Sequence, residues 1–338
     1  MRPTRAVAVP SGLGIAVPGV VTTAGVSRVE GTTRRDAPPR VPTSTTLGRD
    51  AVSRKARQVE LTADLSASRA FTVIVAECTD HWRTNEAQLL TSRAMPHLHQ
   101  TRVGVRRLRS AFSLFGPVLD PMPGARDVAR RLRTLALPFG AARDLDVLLD
   151  GPLTDDLEES EVTALARARE SAYDDVLAIL RSKEWADAGA AVDELVAAAP
   201  WSGDDVPVQD LAGRALDKRW RRVVSGGRRL HDLRAAKRHR VRIEAKKLRY
   251  GCEFFASLYA VGEPRAVTSD GEVLTGPLAY AWHVEDVQST LGILNDQATA
   301  NGLLASVGAE VPPVDEKALV DAGVEACAHL SSLPRFWR

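Results

Sequence analysis

Two stretches of this sequence concentrate histidine, arginine and lysine at a spacing that could bind a polyanion. HLHQTRVGVRRLR spans residues 97–109, and HRVRIEAKKLRY spans residues 239–250. At about 100° per residue, one histidine and three cations of each stretch fall on one side of a helix, and we call each such set a stripe. The eight stripe residues are the candidate binding residues: His99, Arg102, Arg106 and Arg109, then His239, Arg242, Lys246 and Arg249.

The residue types in the stripes fit phosphate oxygens. Arginine offers a rigid fork of donors, lysine supplies a mobile charge, and histidine becomes a charged donor more readily beside an anion. Like charges one turn apart on a helix repel each other, so four cations without an interleaved acid indicate that an external anion neutralises them. Neither stacking aromatic residues nor base-reading Asn and Gln belong to the stripes, which favours a phosphate chain over a nucleic acid.

Further cations lie beside the stripes or in phase with them on neighbouring predicted helices. Eight are predicted as the secondary lining of a groove: Arg107, Arg126, Arg130, Arg133, Arg214, Lys218, Arg221 and Lys247. The alternative is that the stripes are solvated faces, or that they pair with segment 144–210, which holds eighteen acids against four bases. Asp144, Asp146 and Asp296 could ligate a metal, but helix capping or pairing with Arg143 is the favoured interpretation.

The composition favours packed helices in a reducing compartment. Hydrophobic residues make up 44% of the 338 residues and aromatic residues only 5%, with many Ala and Leu. The net charge of +2 hides a strongly basic segment, 214–249, with fifteen bases against three acids. Three separated cysteines without a CxxC motif predict neither a disulfide framework nor a zinc site. No apolar run is long enough to cross a membrane.

The chain divides into a tail and a helical region. Residues 1–55 are rich in Pro, Gly, Thr and Arg without apolar periodicity, and we predict a disordered tail. Residues 56–332 show the helical period almost throughout, with no convincing alternating strand. The predicted helices lie near 59–92, 97–116, 124–138, 141–150, 158–181, 183–199, 208–227, 235–259, 277–294, 296–306 and 315–331.

An internal repeat organises the helical region. The first stripe aligns on the second without a gap, and FGAARDLDVLL (139–149) then matches LGILNDQATANGLL (291–304). In both of these segments a glycine precedes an aspartate, Asp144 or Asp296, that is predicted to open a helix. Two matched landmarks in the same order indicate a duplication, with halves at about 58–200 and 207–332 around a proline-rich seam.

Four blocks in this order resemble the CHAD domain family: HQTRVGVRRLRSAFSLF, GAARDLDVLL, RHRVRIEAKKLRYGCEFF and VEDVQSTLGILND. The resemblance covers roughly residues 60–330. It implies an all-α fold of two four-helix-bundle-like halves, related by a pseudo-two-fold axis around a basic central channel. It also implies binding of inorganic polyphosphate through the eight stripe residues, and association with polyphosphate granules. Pro138, expected to kink a helix end, and the polar insertion at 262–276 depart from the family's pattern.

The predicted function is therefore non-catalytic binding of inorganic polyphosphate, in the cytoplasm and at polyphosphate granules, with no cofactor, metal or membrane contact. An enzyme would need a metal-carboxylate site or an activated nucleophile in the groove, and Glu244 lies off the face of its stripe. Two other functions stay open: a nucleic-acid-binding helical module, which the stripes disfavour, and an accessory domain for a polyphosphate-processing enzyme. Protein partners are not predicted.

Overall fold

The chain enters the fold as an extended segment before the first helix. The computed structural model describes residues 53–199, 206–310 and 313–338, so the predicted tail up to residue 52 and the seam at 200–205 lie outside it. Val59 and Leu61 are buried without being helical. Helix α1 (Ala67–Ser92) begins only after Ser66, whose hydroxyl accepts a hydrogen bond from the Arg69 backbone N–H at 3.4 Å. The predicted helix start at 59 is wrong: residues 59–65 are not helical, and the side-chain cap forms at Ser66.

The regular secondary structure of the described chain is helical apart from one small hairpin. The strands β1 (Arg265–Val267) and β2 (Val273–Thr275) pair antiparallel inside the insertion, which corrects the prediction that strands are absent. The all-α fold class is confirmed. The helices after α1 are α2 (Met95–Leu114), α3 (Gly116–Leu119), α4 (Ala125–Leu135), α5 (Leu137–Leu149), α6 (Glu159–Leu180), α7 (Lys183–Ala197), α8 (Val208–Gly227), α9 (Ala235–Phe254), α10 (Gly276–Ser306) and α11 (Glu316–Ser332).

Two predicted helix boundaries are wrong. Pro138 lies in the first turn of α5 and does not kink a helix end, because a first-turn residue needs no intrahelical N–H partner. Asp144 lies inside α5, and Asp296 lies inside α10, which runs without a break through the predicted gap at residue 295. Neither aspartate therefore caps a helix, and both project from mid-helix positions.

Close contact between α1 and α2 fixes the position of the first stripe. A Cβ atom added to Gly104 would lie 2.8 Å from the Cα atom of Trp82, so only glycine allows this approach. Trp82 is buried, and its ring meets Trp185 edge-on at 5.0 Å between centroids. The apolar side of α2 is thereby held against α1, and the stripe faces away from that contact.

The two halves meet along the helices that carry the repeated segments. In the second half, α9 packs against α8 and α10, and α11 packs against the same two helices. In the first half, α2 packs against α1 and α5, and α5 packs against α6. Helix α2 contacts α9, and α5 contacts α10, with the Phe115 and Phe255 rings 5.8 Å apart at this junction. The pseudo-two-fold relation between the halves stays a prediction.

Both ends of the described chain pack onto helices. The Arg54 guanidinium donates to the Thr84 hydroxyl at 2.9 Å, and Trp337 is buried with its indole N–H donating to Asp217 at 2.9 Å. Packed contacts thus extend on both sides of the predicted 56–332 region. Within the described ranges, no helix combines the length and the apolar character needed to cross a membrane.

Candidate functional site

Helices α2 and α9 bring the two stripes together. The Nε atom of Arg106 on α2 donates a hydrogen bond to the Tyr250 hydroxyl on α9 at 2.8 Å. Arg107 on α2 forms a buried ion pair with Glu253 on α9. These contacts hold the helices side by side, so the stripe of each half lies next to the stripe of the other.

Four stripe cations converge at this junction, and we call Arg102, Arg106, Arg242 and Lys246 the cationic cluster. Burial and then the charges of Arg106, Arg242 and Arg102 lower the pKa of Lys246 to about 6. Burial and Arg106 lower the pKa of Arg102 to about 10, with further contributions from Arg143 and Arg242. Both shifts require cations from both halves to lie within electrostatic reach of one another. The cluster is therefore crowded, partly desolvated and short of negative charge.

Two carboxylates only partly compensate the cluster. Asp296 lies 3.6 Å from the Nη2 atom of Arg242, a distance too long for a strong hydrogen bond. Burial raises the pKa of Asp144, and Asp296 adds to this shift while Arg102 opposes it. The two aspartates of the repeat thus lie near cations of the cluster, and the pairing of an aspartate with Arg143 stays a prediction. In the described part of the chain, no three His, Cys, Asp or Glu side chains come together to hold a metal.

Arg143 is a neighbour of the cluster that the sequence analysis treated only as a partner for aspartate. Its charge contributes to the lowered pKa values of His99 and Arg102. The residue lies in the second matched segment of the repeat, one position before Asp144. This adjacency to a repeated aspartate is the sequence feature that could have identified Arg143 as a neighbour of the cluster. Helix α5 packs against α2 and so brings this segment toward the stripe.

The two histidines lie at the edge of the cluster, and the pKa of each ring is lowered there. Burial, followed by the charges of Arg143 and Arg106, lowers the pKa of His99 to about 4, and its buried Nδ1 has no hydrogen-bond partner among the described residues. Burial also lowers the pKa of His239, which is more exposed. An anion placed in the cluster would raise both pKa values and would give each ring a charged donor.

The distal ends of the stripes differ from each other. Burial and then the charges of Arg133 and Arg106 lower the pKa of Arg109, so this end stays short of negative charge. Arg249 instead donates to Glu285 at 2.8 Å and lies 3.6 Å from Glu253. Burial alone would lower the pKa of Arg249, but these carboxylates outweigh it and raise that pKa. The expectation of two unneutralised stripes therefore fails at Arg249.

The comparisons with known proteins agree with this arrangement of helices. The family model of the CHAD domain matches residues 73–305, which is well over half of the chain. The chain belongs to the CHAD domain family. No curated protein sequence gives a significant match.

Two solved structures resemble this CHAD domain. The crystal structure of the CHAD domain from the plant Ricinus communis is 26% identical, with a TM-score of 0.63 over 85% of this chain and 94% of that chain. PptA from Streptomyces chartreusis is 15% identical, with a TM-score of 0.52 over 79% of this chain and 94% of its own. The second likeness shows a shared fold alone.

Two of the predicted secondary residues of the CHAD domain do not face the cluster. Arg107 is buried, lies 4.9 Å from the Phe254 ring centroid and is neutralised by Glu253. Lys247 donates to Glu244 at 2.8 Å on the side of α9 that packs against α8. Each residue follows a stripe cation by one position, so the helix turns it by about 100° away from the stripe.

The cations of α8 and α4 also differ from their predicted placement. Helix α8 packs on the side of α9 opposite the second stripe, where Arg219 donates to Glu244 at 2.9 Å. The exposed side chains of α8 therefore cannot line the space between α2 and α9: Arg214, Lys218 and Arg221. On α4, Arg126 and Arg130 are exposed and pair with local aspartates, whereas Arg133 lies near Arg109 and extends the first stripe.

Proposed function

We propose that this CHAD domain binds inorganic polyphosphate in the groove between α2 and α9 and catalyses no reaction on it. The observation that carries the proposal is the cationic cluster, in which cations of both halves lower each other's pKa values and, among the described residues, the partly compensating carboxylates are Asp144 and Asp296. Such a cluster is stabilised by a ligand that brings several negative charges at a spacing of a few ångströms. A linear phosphate chain has this character.

The chemistry of the cluster favours phosphates over bases. The Tyr250 ring lies 5.8 Å from the Arg106 guanidinium of the cluster, but Tyr250 is buried and its hydroxyl accepts a hydrogen bond from Arg106. Stacking of bases requires an exposed ring, so Tyr250 offers no such platform. The guanidinium groups of Arg102, Arg106 and Arg242 can each donate two parallel hydrogen bonds to phosphate oxygens. Polyphosphate granules in the cytoplasm are the location that fits this ligand.

The direct test replaces the cluster while keeping its volume. The cluster variant carries Arg102→Gln, Arg106→Gln, Arg242→Gln and Lys246→Gln. The charge-matched control replaces four exposed arginines outside the cluster: Arg126→Gln, Arg130→Gln, Arg167→Gln and Arg181→Gln. Each phosphate contact releases counterions, so log affinity decreases with log salt concentration. The steepness of this decrease should be smaller by about three in the cluster variant only.

Three further measurements separate the rival functions. Competition of long polyphosphate with single-stranded and duplex nucleic acid, at equal phosphate concentration, tests the nucleic-acid module. Release of phosphate from polyphosphate with Mg²⁺ or Mn²⁺ tests an enzyme. Imaging of a fluorescent fusion in cells with and without polyphosphate tests granule association. A cluster variant that keeps the affinity and the salt slope of the parent protein would overturn the proposal.

A further inference from the structure

The far side of α9 carries a second cationic site. A cavity of about 390 Å³ lies between α8 and α9 and is lined by Arg222, Arg240, Val241, Ile243, Glu244 and Lys247. At about 100° per residue, the centre of these α9 positions lies roughly 150° around the helix from the stripe of Arg242 and Lys246. A ligand in the cationic cluster would therefore leave this outer cavity empty.

One carboxylate organises the cations of the outer cavity. Glu244 accepts from Lys247 at 2.8 Å, from Arg219 at 2.9 Å and from Arg222 at 3.3 Å. Burial alone would raise the pKa of Glu244, but the bonds from Lys247 and Arg219 outweigh it and lower that pKa to about 2. The carboxylate thus stays ionised and holds three cations in place without matching their charge.

The excess charge of the outer cavity is open to a ligand. Arg219 is buried and also donates to the backbone oxygen of Ser113 at 2.6 Å, so it backs the cavity. The Arg222 side chain is 51% exposed and shares its carboxylate with two other cations. Arg240 is exposed and makes no ion pair with the described residues. Four cations against a single carboxylate leave a surplus that can bind an anion of two or more charges.

The apolar part of the cavity strengthens this attraction. Val241 is buried and Ile243 is 38% exposed, and both lie between the cations. Walls of low dielectric constant focus the field of neighbouring charges and raise the local concentration of counter-ions. The forked guanidinium groups of Arg222 and Arg240 are suited to phosphate oxygens.

We propose that the outer cavity binds a second phosphate segment, so that one CHAD domain holds two polyphosphate segments and cross-links chains. This inference rests on the proposed function, since the groove must hold the first segment. Two attachment points per molecule convert a chain-binding domain into a bridge between chains.

The test compares three variants with the parent protein. The outer variant carries Arg222→Gln and Arg240→Gln, which leaves the bonds of Arg219 and Lys247 to Glu244 intact. The matched control, Arg167→Gln with Arg181→Gln, removes the same charge from exposed positions of the first half. The cluster variant completes the set. Calorimetry with short polyphosphate of defined length counts bound chains, and light scattering with long polyphosphate reports cross-linking.

The expected result is two bound chains per molecule for the parent protein and the matched control, and one for the outer variant. Binding in the groove should be the tighter event and binding in the outer cavity the weaker one. The outer variant should therefore keep the tighter event, and the cluster variant should keep only the weaker one. Scattering with long chains should be lost in both of these variants. If the cluster variant keeps the tighter event, the proposed function itself fails.

Two outcomes overturn the second site alone. The first is a wrong stoichiometry or no effect of the outer substitutions: the parent protein binds a single short chain, or the outer variant binds and scatters as the parent does. The second is that the parent protein self-associates in the absence of polyphosphate and the outer variant does not. That result would assign the cavity to the acidic surface of a second copy.

Discussion

The Nε atom of Arg106 donates to the Tyr250 hydroxyl at 2.8 Å, across 144 positions of sequence and between the two repeated helices. The same guanidinium lies 5.8 Å from the centre of the Tyr250 ring. This contact uses Nε and leaves the two terminal nitrogens of Arg106 to other partners. Tyr250 therefore positions a proposed binding residue of the other half.

Tyr250→Phe tests this positioning role. The ring packing stays, but the loss of one hydrogen bond should lower the free energy of unfolding by about 1 kcal/mol. Affinity for polyphosphate should fall by about three- to tenfold, because Arg106 loses its orientation. Urea unfolding and calorimetric titration measure the two effects. Tyr173→Phe is the matched control: it removes a buried 2.9 Å bond to Asp146 and should lower stability without changing affinity.

We expect Lys246 to lower the stability of the fold while it contributes to ligand affinity. Burial and three neighbouring arginines disfavour the charged form of Lys246 in the folded protein. Lys246→Met removes this cost and should raise the free energy of unfolding by about 1–3 kcal/mol at neutral pH. Polyphosphate affinity should fall in the same variant. A variant that binds more weakly and is also less stable than the parent would contradict this prediction.

The gain in unfolding free energy from Lys246→Met should decrease as the pH rises. The folded-state pKa is lowered to about 6, whereas an unfolded lysine titrates near its usual value of about 10.4. Between these values the unfolded chain binds more protons, so Lys246 makes the stability of the parent protein rise with pH. The advantage of the variant should be largest at or below pH 6 and should vanish toward pH 10. Unfolding curves across this range measure it.

Binding of polyphosphate should take up protons. The negative charge of polyphosphate favours the charged form of Lys246 and of both stripe histidines. The pKa values of all three groups are lowered in the free protein. Affinity should therefore fall as the pH rises above about 6. Titration calorimetry in two buffers with different ionisation enthalpies counts the protons. Lys246→Met should show a smaller uptake at pH 8, and equal heats in both buffers for the parent protein would refute the prediction.

Arg107 should matter for stability and not for binding. Arg107→Met leaves Glu253 without its closest partner and should cost on the order of 3 kcal/mol of unfolding free energy. The double variant with Glu253→Gln should recover most of that loss. Salt-dependent polyphosphate affinity should stay unchanged in the double variant. A loss of affinity comparable to that of the cluster variant would place Arg107 back among the binding residues.

Asp296 should limit the binding of small phosphates. Its carboxylate lies 3.6 Å from Arg242 and competes with an incoming anion. Asp296→Asn should raise the affinity for pyrophosphate by about two- to fivefold, the range that a weak ion pair allows. Competition against labelled polyphosphate measures this change, and Asp321→Asn, at a half-buried position of α11, serves as control. An unchanged pyrophosphate affinity would remove Asp296 from the site.

The helical class, the two stripes and their phase could all be predicted from local spacing. His99, Arg102 and Arg106 recur as His239, Arg242 and Lys246 at one constant offset, and the period of the α-helix puts each set on one face. The same period places Arg107 and Lys247, which follow stripe residues in sequence, about 100° away from the stripe. Such features depend only on residues a few positions apart, so local sequence spacing is enough to predict them.

The tertiary structure decided which cations stay unpaired and which helices meet. Glu285 neutralises Arg249, and Glu253 neutralises Arg107 from 146 positions away. Helix α8 packs behind α9, which moves its cations to the outer surface. Charge neutralisation and desolvation are set by whichever side chains packing brings within a few ångströms. Those partners are distant in sequence, and no local period encodes them.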